Sequence, residues 1–373
     1  MIFLFLTVFF LIAYGFLIVF YNKWWGRLKE YKTSGNSLHV FISVIIPVRN
    51  EEKNILPLLQ SLKQQNYDAT QFEILVIDDF SEDGTASVIR NAQIQNLHLV
   101  QPGGDTSLSS KKKAIAAGVS KAKGEIIVTT DADCIFNKDW LNIINDFYQQ
   151  TDVQFIAAPV KLNYTNSFTE KFQAIDFLVL QGITAATVNA KFHTMCNGAN
   201  LAYTKKAFEE VDGFKGIDKV ATGDDMLLMH KIRKQYPEQV FYLKNKEAIV
   251  TSAPMRDWKG LLSQRKRWAS KTFVYDDVKV LGVLLFVYLF NCWFVVLFIT
   301  AFFQPIYFLL LTSAIVIKIL VEFSFVKSVA KFFDEPGLLK HFIFFQPLHI
   351  LFTVITGIIS QWGKYEWKGR RTK

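Results

Sequence analysis

Cysteine is scarce in this sequence, with Cys134, Cys196 and Cys292 the only three in 373 residues. They are too few and too dispersed for a disulfide framework or a thiolate zinc site, and they fit a reducing, cytoplasmic setting. Three nucleotide and ester signatures are missing as well. No G-x-x-x-x-G-K-[ST] loop and no G-x-G-x-x-G fingerprint follows a strand-like run, so neither a P-loop NTPase nor a dinucleotide-dependent oxidoreductase is supported. The absence of G-x-S-x-G argues against a hydrolase elbow. Charge is missing from long stretches too: Met1 to Tyr21, Val280 to Ile317 and His341 to Gly363 contain no Asp, Glu, Lys or Arg.

These gaps account for a composition that looks contradictory. The chain is 51% hydrophobic with a mean hydropathy of +0.20, yet 20% charged with a formal net charge of +9. An uncharged run of about 20 residues crosses a hydrocarbon core of roughly 30 Å. Residues 1–21 therefore predict a transmembrane anchor; no basic residue precedes the run and no A-x-A-like site follows it, which disfavours a cleaved signal. The second run is long enough for two spans, parted near Gln304-Pro305 at 280–303 and 305–326. The third, 341–363, predicts a span or a re-entrant piece, because Gln346-Pro347 and His349 interrupt it. Lys318 and Glu322, four apart, read as a local pair near a helix end.

The positive charge lies beside these runs. Segments 22–36, 256–271 and 364–373 carry +12 between them, leaving the rest at −3. A nucleic-acid binder would want its basic stripe on the folded domain, so no nucleic acid is expected as a partner, and anchoring at a membrane is. The positive-inside rule puts the polar block 22–279 in the cytoplasm, at the inner (cell) membrane. Four spans would then leave the basic tail on the opposite side, in conflict with the same rule. The block divides into a domain at 22–255 and an amphipathic interfacial segment at 256–279, where Trp258, Leu261, Leu262 and Trp268 interleave with cations.

Within 22–255 the pattern alternates. Val40 to Val48 is a nearly continuous β-branched run, as in a strand buried on both faces of a parallel sheet. Helical spacing follows at 51–66, a strand at 72–77, a helix at 85–92, a short strand near 98–100, a helix around 112–121 and a strand at 125–130. This predicts a doubly wound α/β sheet, with ligands at the carboxyl ends of its strands. Those ends carry Pro47-Val48-Arg49-Asn50-Glu51, Asp78-Asp79-Phe80-Ser81-Glu82-Asp83-Gly84-Thr85 and Asp131-Ala132-Asp133. Carboxylates converging on one rim repel one another, and a divalent cation would relieve the crowding.

Each motif also has a plainer reading. Asp131-x-Asp133 suits Mg²⁺ or Mn²⁺ or a solvated turn. Asp83-Gly84-Thr85 is a normal helix cap, which leaves the paired Asp78 and Asp79 less well explained. Asp224-Asp225 opens a helical stretch at 226–234, as a dipole partner or with one carboxylate as general base. Gln264-x-x-Arg267-Trp268 is an interfacial helix, or one whose Arg267 fork is matched to a diphosphate.

Taken together and in order, Ile45-Ile46-Pro47-Val48-Arg49-Asn50-Glu51, Asp78-Asp79-x-Ser81-x-Asp83-Gly84-Thr85, Lys113-Ala114, Asp131-Ala132-Asp133, Asn197-Gly198-Ala199-Asn200, Asp224-Asp225 and Gln264-x-x-Arg267-Trp268 resemble the membrane-bound family-2 glycosyltransferases. That group includes cellulose, chitin, hyaluronan and poly-N-acetylglucosamine synthases and ceramide glucosyltransferase. The resemblance covers roughly residues 40 to 270. It implies a GT-A fold and inverting transfer of a sugar from a nucleotide diphosphate donor, a UDP-sugar being expected, to a hydroxyl of a polysaccharide or lipid acceptor. By the same resemblance, Pro47, Glu51, Asp78, Asp79, Lys113 and Asp131 belong to the nucleotide-sugar site, and Asp131 and Asp133 to a Mg²⁺ or Mn²⁺ site. Asp225 is the base, with Asp224 in place of the usual Glu. Gln264, Arg267 and Trp268 serve the diphosphate and acceptor, Arg267 also stabilising the leaving group. Lys111-Lys112-Lys113-Ala114 where relatives often have Gly-Lys-Ala, and Ala117 where many have Asn, depart from the pattern. A single-transfer glycolipid enzyme, or a catalytically inactive scaffold of the same fold, are the competing readings. The oligomeric state is not legible.

Overall fold

The computed structural model describes residues 1–35, 38–103, 111–192, 194–218, 223–270, 277–361, 365–367 and 370–372. Lys271, Gly363, Lys364, Lys368 and Lys373, which fall in the segments above, lie outside the described residues. The first half runs α1 (Ile2–Arg27), β1 (Ile42–Val48), α2 (Ile55–Lys63), β2 (Phe72–Asp78), α3 (Thr85–Asn91), β3 (Leu97–Val100), α4 (Lys111–Lys121), β4 (Ile126–Thr129), α5 (Trp140–Gln150), β5 (Phe155–Ala157), β6 (Val160–Leu162) and α6 (Phe168–Asn189). The second runs β7 (Leu201–Thr204), α7 (Lys205–Glu210), α8 (Asp224–Gln235), β8 (Val240–Tyr242), β9 (Val250–Ser252), α9 (Trp258–Ala269), α10 (Val278–Ala301), α11 (Ile306–Phe332), α12 (Leu339–Ser360), β10 (Tyr365–Trp367) and β11 (Arg370–Thr372). Two compact units result. One comprises Met1–Leu28, Tyr164–Thr194 and Pro254–Tyr365; the other comprises Lys29–Asn163, Met195–Ala253 and Glu366–Lys373.

The second of these is an α/β unit built on a seven-stranded sheet in the order β3-β2-β1-β4-β7-β5-β8. β1, β2, β3 and β4 are parallel, as their β-branched runs require; Ile42, Val44, Ile45 and Ile46 are fully buried, each contributing about 1.5–3 kcal/mol of apolar burial. β7 departs from the parallel pattern, pairing antiparallel with both β4 and β5. Register places Val48 beside Asp78 and Ile45 beside Thr129, so the residues following β1, β2 and β4 emerge on one edge. The helix expected from residue 51 starts only at Ile55, because the amides of Glu51 and Glu52 are taken by Thr85 Oγ1 and Asp83 Oδ2 from the loop after β2.

The other unit holds four helices long and apolar enough to cross a membrane: Ile2–Arg27, Val278–Ala301, Ile306–Phe332 and Pro336–Ser360. α1 buries one face, Thr7, Tyr14, Ile18, Tyr21 and Trp25, and exposes Phe5, Phe9, Phe16 and Val19. Such an apolar exterior suits hydrocarbon rather than water. α12 runs unbroken through Pro347, where the sequence left a span and a re-entrant piece both open. One expectation is corrected here. Lys318 and Glu322 are not near a helix end; they lie mid-way along α11, buried, 2.6 Å apart. Gln346 of α12 closes the ring, accepting from Lys318 at 2.6 Å and donating to Glu322 at 2.7 Å, and the Tyr14 hydroxyl of α1 donates to Glu322. Every charged atom of the pair thus finds a partner on another helix, the condition under which such groups are tolerated away from water.

Candidate active site

On the carboxyl edge of the sheet, the loops after β1 and β2 are sewn together. The buried Arg49 guanidinium donates to the carbonyls of Asp79 and Phe80, at 2.7 and 2.8 Å, and pairs with Glu82 at 2.9 Å. Asn50 and Phe80 both adopt positive φ, at 54° and 57°, and Asn50 exchanges hydrogen bonds with Ser81 and Glu82 across the gap. Asp78 caps this loop by accepting from the Ser81 amide at 2.9 Å, and the Asp79 amide donates to Val48 at 2.9 Å. Both carboxylates are buried, while Pro47 and Glu51 are half-buried at the end of β1.

A second cluster forms where β4, α4, α8 and the Asn197-Gly198-Ala199-Asn200 loop meet. The ammonium of Lys111 lies 2.7 Å from Asp131 Oδ1 and 3.1 Å from Asp224 Oδ2. Burial alone would lower the Lys111 pKa, but the Asp131 and Asp224 charges overcome it and hold the amine protonated, well above its ordinary range. Asp225 is fixed by backbone donors: Gly198 N to one oxygen at 3.1 Å, Met226 N to the other at 2.8 Å. Gly198 leaves little room beside the lysine. A Cβ there would stand 3.0 Å from Lys111 Nζ, 3.5 Å from Asp224 Oδ2 and 3.6 Å from Asp225 Cβ. Gly223, with φ 79°, supplies the left-handed turn that starts α8 and brings both aspartates to its first turn. Buried Asn200 holds the loop from beneath, accepting from Trp140 and donating to the carbonyls of Pro159 and Ala248.

Asp133 accepts from Ser252 Oγ at 3.0 Å, and burial followed by the neighbouring Asp131 charge pushes its carboxyl above the usual range. That crowding is what a hard cation would relieve, and two carboxylates one residue apart are the right donor type. Among the described residues no group of three His, Cys, Asp or Glu side chains could hold an ion. A cation at Asp131 and Asp133 would therefore draw further oxygens from a bound phosphate and from water. Next along α4, burial lowers Lys112 to about 8 against the opposing pull of Asp224, Asp225 and Asp218, and its amine donates to Ile217 O at 2.6 Å. Cys196 has its thiol pushed up by burial and by Asp225 and Asp224, which makes it a poor nucleophile.

The structure thus brings Asp131, Asp224 and Asp225 to one place and sets Asp133 beside Asp131. Lys113 is exposed; the lysine that reaches the carboxylates is its neighbour Lys111. Gly198 and Arg49 sat in recognised motifs without an assigned role. Gln264, Arg267 and Trp268 belong to α9 in the other unit. There Gln264 accepts from Gln173 Nε2 at 3.3 Å, Arg267 is half-buried, and the guanidinium of buried Arg265 lies 4.4 Å over the Trp268 ring.

Residues 43–212 match the model of the glycosyl transferase family 2 domain. Glycosyltransferase AglE of Haloferax volcanii is 31% identical over 132 residues, 35% of this chain and 42% of that protein. A 4,4'-diaponeurosporenoate glycosyltransferase of Staphylococcus haemolyticus is 36% identical over 125 residues, 34% of this chain and 32% of that protein. The chain spans less than half the length of these curated relatives. A mannosyltransferase of Pyrobaculum calidifontis, PcManGT, solved with GDP-Man and Mn²⁺, shares the fold with a TM-score of 0.61 at 19% identity, over 94% of this chain and 98% of that one.

Proposed function

A family-2 glycosyltransferase domain occupies residues 43–212, and from that premise we propose that the chain transfers a sugar, with inversion, from a nucleotide diphosphate donor to a hydroxyl of a lipid acceptor at the cytoplasmic face of the membrane. The observation that carries the catalytic part is the convergence of Asp131, Asp224 and Asp225 on Lys111 and Gly198. Lipid rather than growing polysaccharide is favoured by the closed ring of Tyr14, Lys318, Glu322 and Gln346, which fills the space between α1, α11 and α12 with packed, mutually satisfied side chains.

Asp79, with Asp78 beside it, holds the nucleoside in the pocket that Arg49 braces. The Lys111 ammonium faces the donor's diphosphate and offsets its charge. The acceptor oxygen attacks the anomeric carbon as the bond from that carbon to the phosphate oxygen breaks. The bonding pair leaves with the nucleoside diphosphate, and the hydroxyl proton passes to Asp225. With both its oxygens held by backbone amides, that carboxylate is fixed in orientation before the acceptor arrives. A Mg²⁺ or Mn²⁺ at Asp131 and Asp133 supplies Lewis-acid stabilisation of the diphosphate. Gln264, Arg267 and Trp268 serve the diphosphate and the acceptor head.

Incubating the protein in native-like bilayers with UDP- and GDP-sugars and lipid extract tests this. A single-sugar lipid that EDTA abolishes and Mn²⁺ restores is the expected product. A long polymer would replace the lipid reading with a synthase, and no turnover of any nucleotide sugar would overturn both.

A further inference from the structure

α6 is not foreshadowed by any motif, yet side chains on one face of it reach the Gln264-x-x-Arg267-Trp268 helix from Trp258 to Trp268, a helix whose backbone packs chiefly against α12. Phe172, Gln173, Asp176 and Phe177 share that face at helical spacing. Phe172 packs on Trp258 with ring centroids 5.3 Å apart, and Phe177 on Trp268 at 6.4 Å. Between them Gln173 donates to Gln264 at 3.3 Å and accepts from the Met255 amide at 2.9 Å, in the lead-in to α9. One turn on, Asp176 forms an ion pair with Arg265, whose guanidinium in turn lies over Trp268. The remaining Asp176 oxygen faces His349 Nε2 of α12 at 3.3 Å. Burial would raise the Asp176 carboxyl, but Arg265 and His349 hold it below its usual range, so it stays ionised.

We propose that Asp176 and Gln173 are positioning residues that fix α9 in register, so that Gln264 and Trp268 are held by neighbours on α6 while Arg267 is left for ligand. A buried carboxylate shared between Arg265 and an imidazole on an apolar helix is costly as a mere stabiliser, since a packed apolar trio of equal volume would do as well or better. Its value is directional. A helix rotated by one residue would lose both polar contacts together. The inference rests on α9 serving the acceptor and diphosphate.

The test uses the full chain in bilayer discs, with Asp176→Asn, Asp176→Glu and Gln173→Leu, each normalised to folded protein. Asp176→Asn should lower the rate of sugar transfer roughly 10- to 100-fold, the cost of an ångström-scale misplacement, with the donor KM within about twofold of wild type. Asp176→Glu should recover most of the rate. Backbone hydrogen exchange should quicken across residues 258–269 in Asp176→Asn while β1 and β4 keep their protection. Gln173→Leu, which spares the ion pair, should move both readouts the same way by less. Wild-type rate per folded molecule, or unchanged exchange in α9, overturns the proposal. A wild-type chain inactive on every donor overturns the proposed function instead, and the exchange readout still decides whether α6 holds α9.

Discussion

Replacing Lys318 with Met removes the only cation in the ring formed by Tyr14, Glu322 and Gln346. The structure sets two bounds on the cost. Counting only the two hydrogen bonds that Lys318 donates, one to Glu322 on its own helix and one to Gln346 on α12, at about 0.6 kcal/mol each in a bilayer, gives roughly 1 kcal/mol. Counting instead the Glu322 carboxylate left buried without its cation gives about 3–5 kcal/mol. The second should dominate, because Lys318 is almost wholly buried and Glu322 is buried beside it. Adding Glu322→Gln to Lys318→Met should recover about 2 kcal/mol, since a neutral amide still accepts from Tyr14 and meets Gln346. Reversible unfolding in mixed micelles, followed by tryptophan fluorescence, reads both variants. A loss under about 1 kcal/mol for Lys318→Met, or a double variant no better than the single one, would refute the reasoning. By contrast Lys206→Ala, which breaks an exposed pair at 3.9 Å, should cost no more than about 0.5 kcal/mol.

Asp225→Asn should reduce transfer by about 10²–10⁴-fold while nucleotide affinity, measured by calorimetry, is preserved; comparable turnover at equal protein would remove Asp225 as the base. Gly198→Ala, whose added methyl would stand 3.0 Å from the Lys111 ammonium, should push that flexible end aside by a few tenths of an ångström and lower turnover by about two- to fivefold with little change in thermal midpoint; a wild-type rate would argue against a role for the placement of Lys111. Because the Asp133 carboxyl is raised, protons compete with metal there at higher pH than at an ordinary aspartate. The Mn²⁺ concentration needed for half-maximal activity should thus rise as pH is lowered, starting at higher pH than for an ordinary aspartate, and a flat dependence would argue against Asp133 as a ligand. The lowered Lys112 works the other way: its protonated form is penalised in the folded state, so stability should increase as pH passes from about 8 towards the unfolded value near 10.4, and Lys112→Met should remove that slope.

Much of the α/β unit was readable because its signals are local. A β-branched run such as 42–48 favours a strand buried on both faces, and carboxylates at the ends of three strands must share an edge once those strands are parallel, as β2, β1 and β4 are. What escaped depends on contacts distant in sequence. Nothing within Lys111-Lys112-Lys113 tells which amine reaches Asp131 and Asp224; the start and phase of α4 decide it, and they select Lys111. The Lys318–Glu322 spacing is visible as i, i+4, but its closure by Gln346 and Tyr14 needs helices that are 24 and 308 residues away from Glu322. α6 was missed because its glutamines and threonines blur the apolar stripe, although Phe172, Gln173, Asp176 and Phe177 form one face. Whether 341–363 spans or re-enters was left open by Gln346-Pro347 and His349; α12 is continuous there because one missing amide is tolerated where neighbouring helices enclose the turn.

The Arg49 clasp bears on how fast such an enzyme can work. On the proposed reading, the two main-chain carbonyls that Arg49 holds on the facing loop would settle the shape of the nucleoside recess during folding rather than at each encounter. A donor would then meet a finished socket at little cost in ordering entropy, and the nucleoside diphosphate product could leave without waiting for a loop to melt.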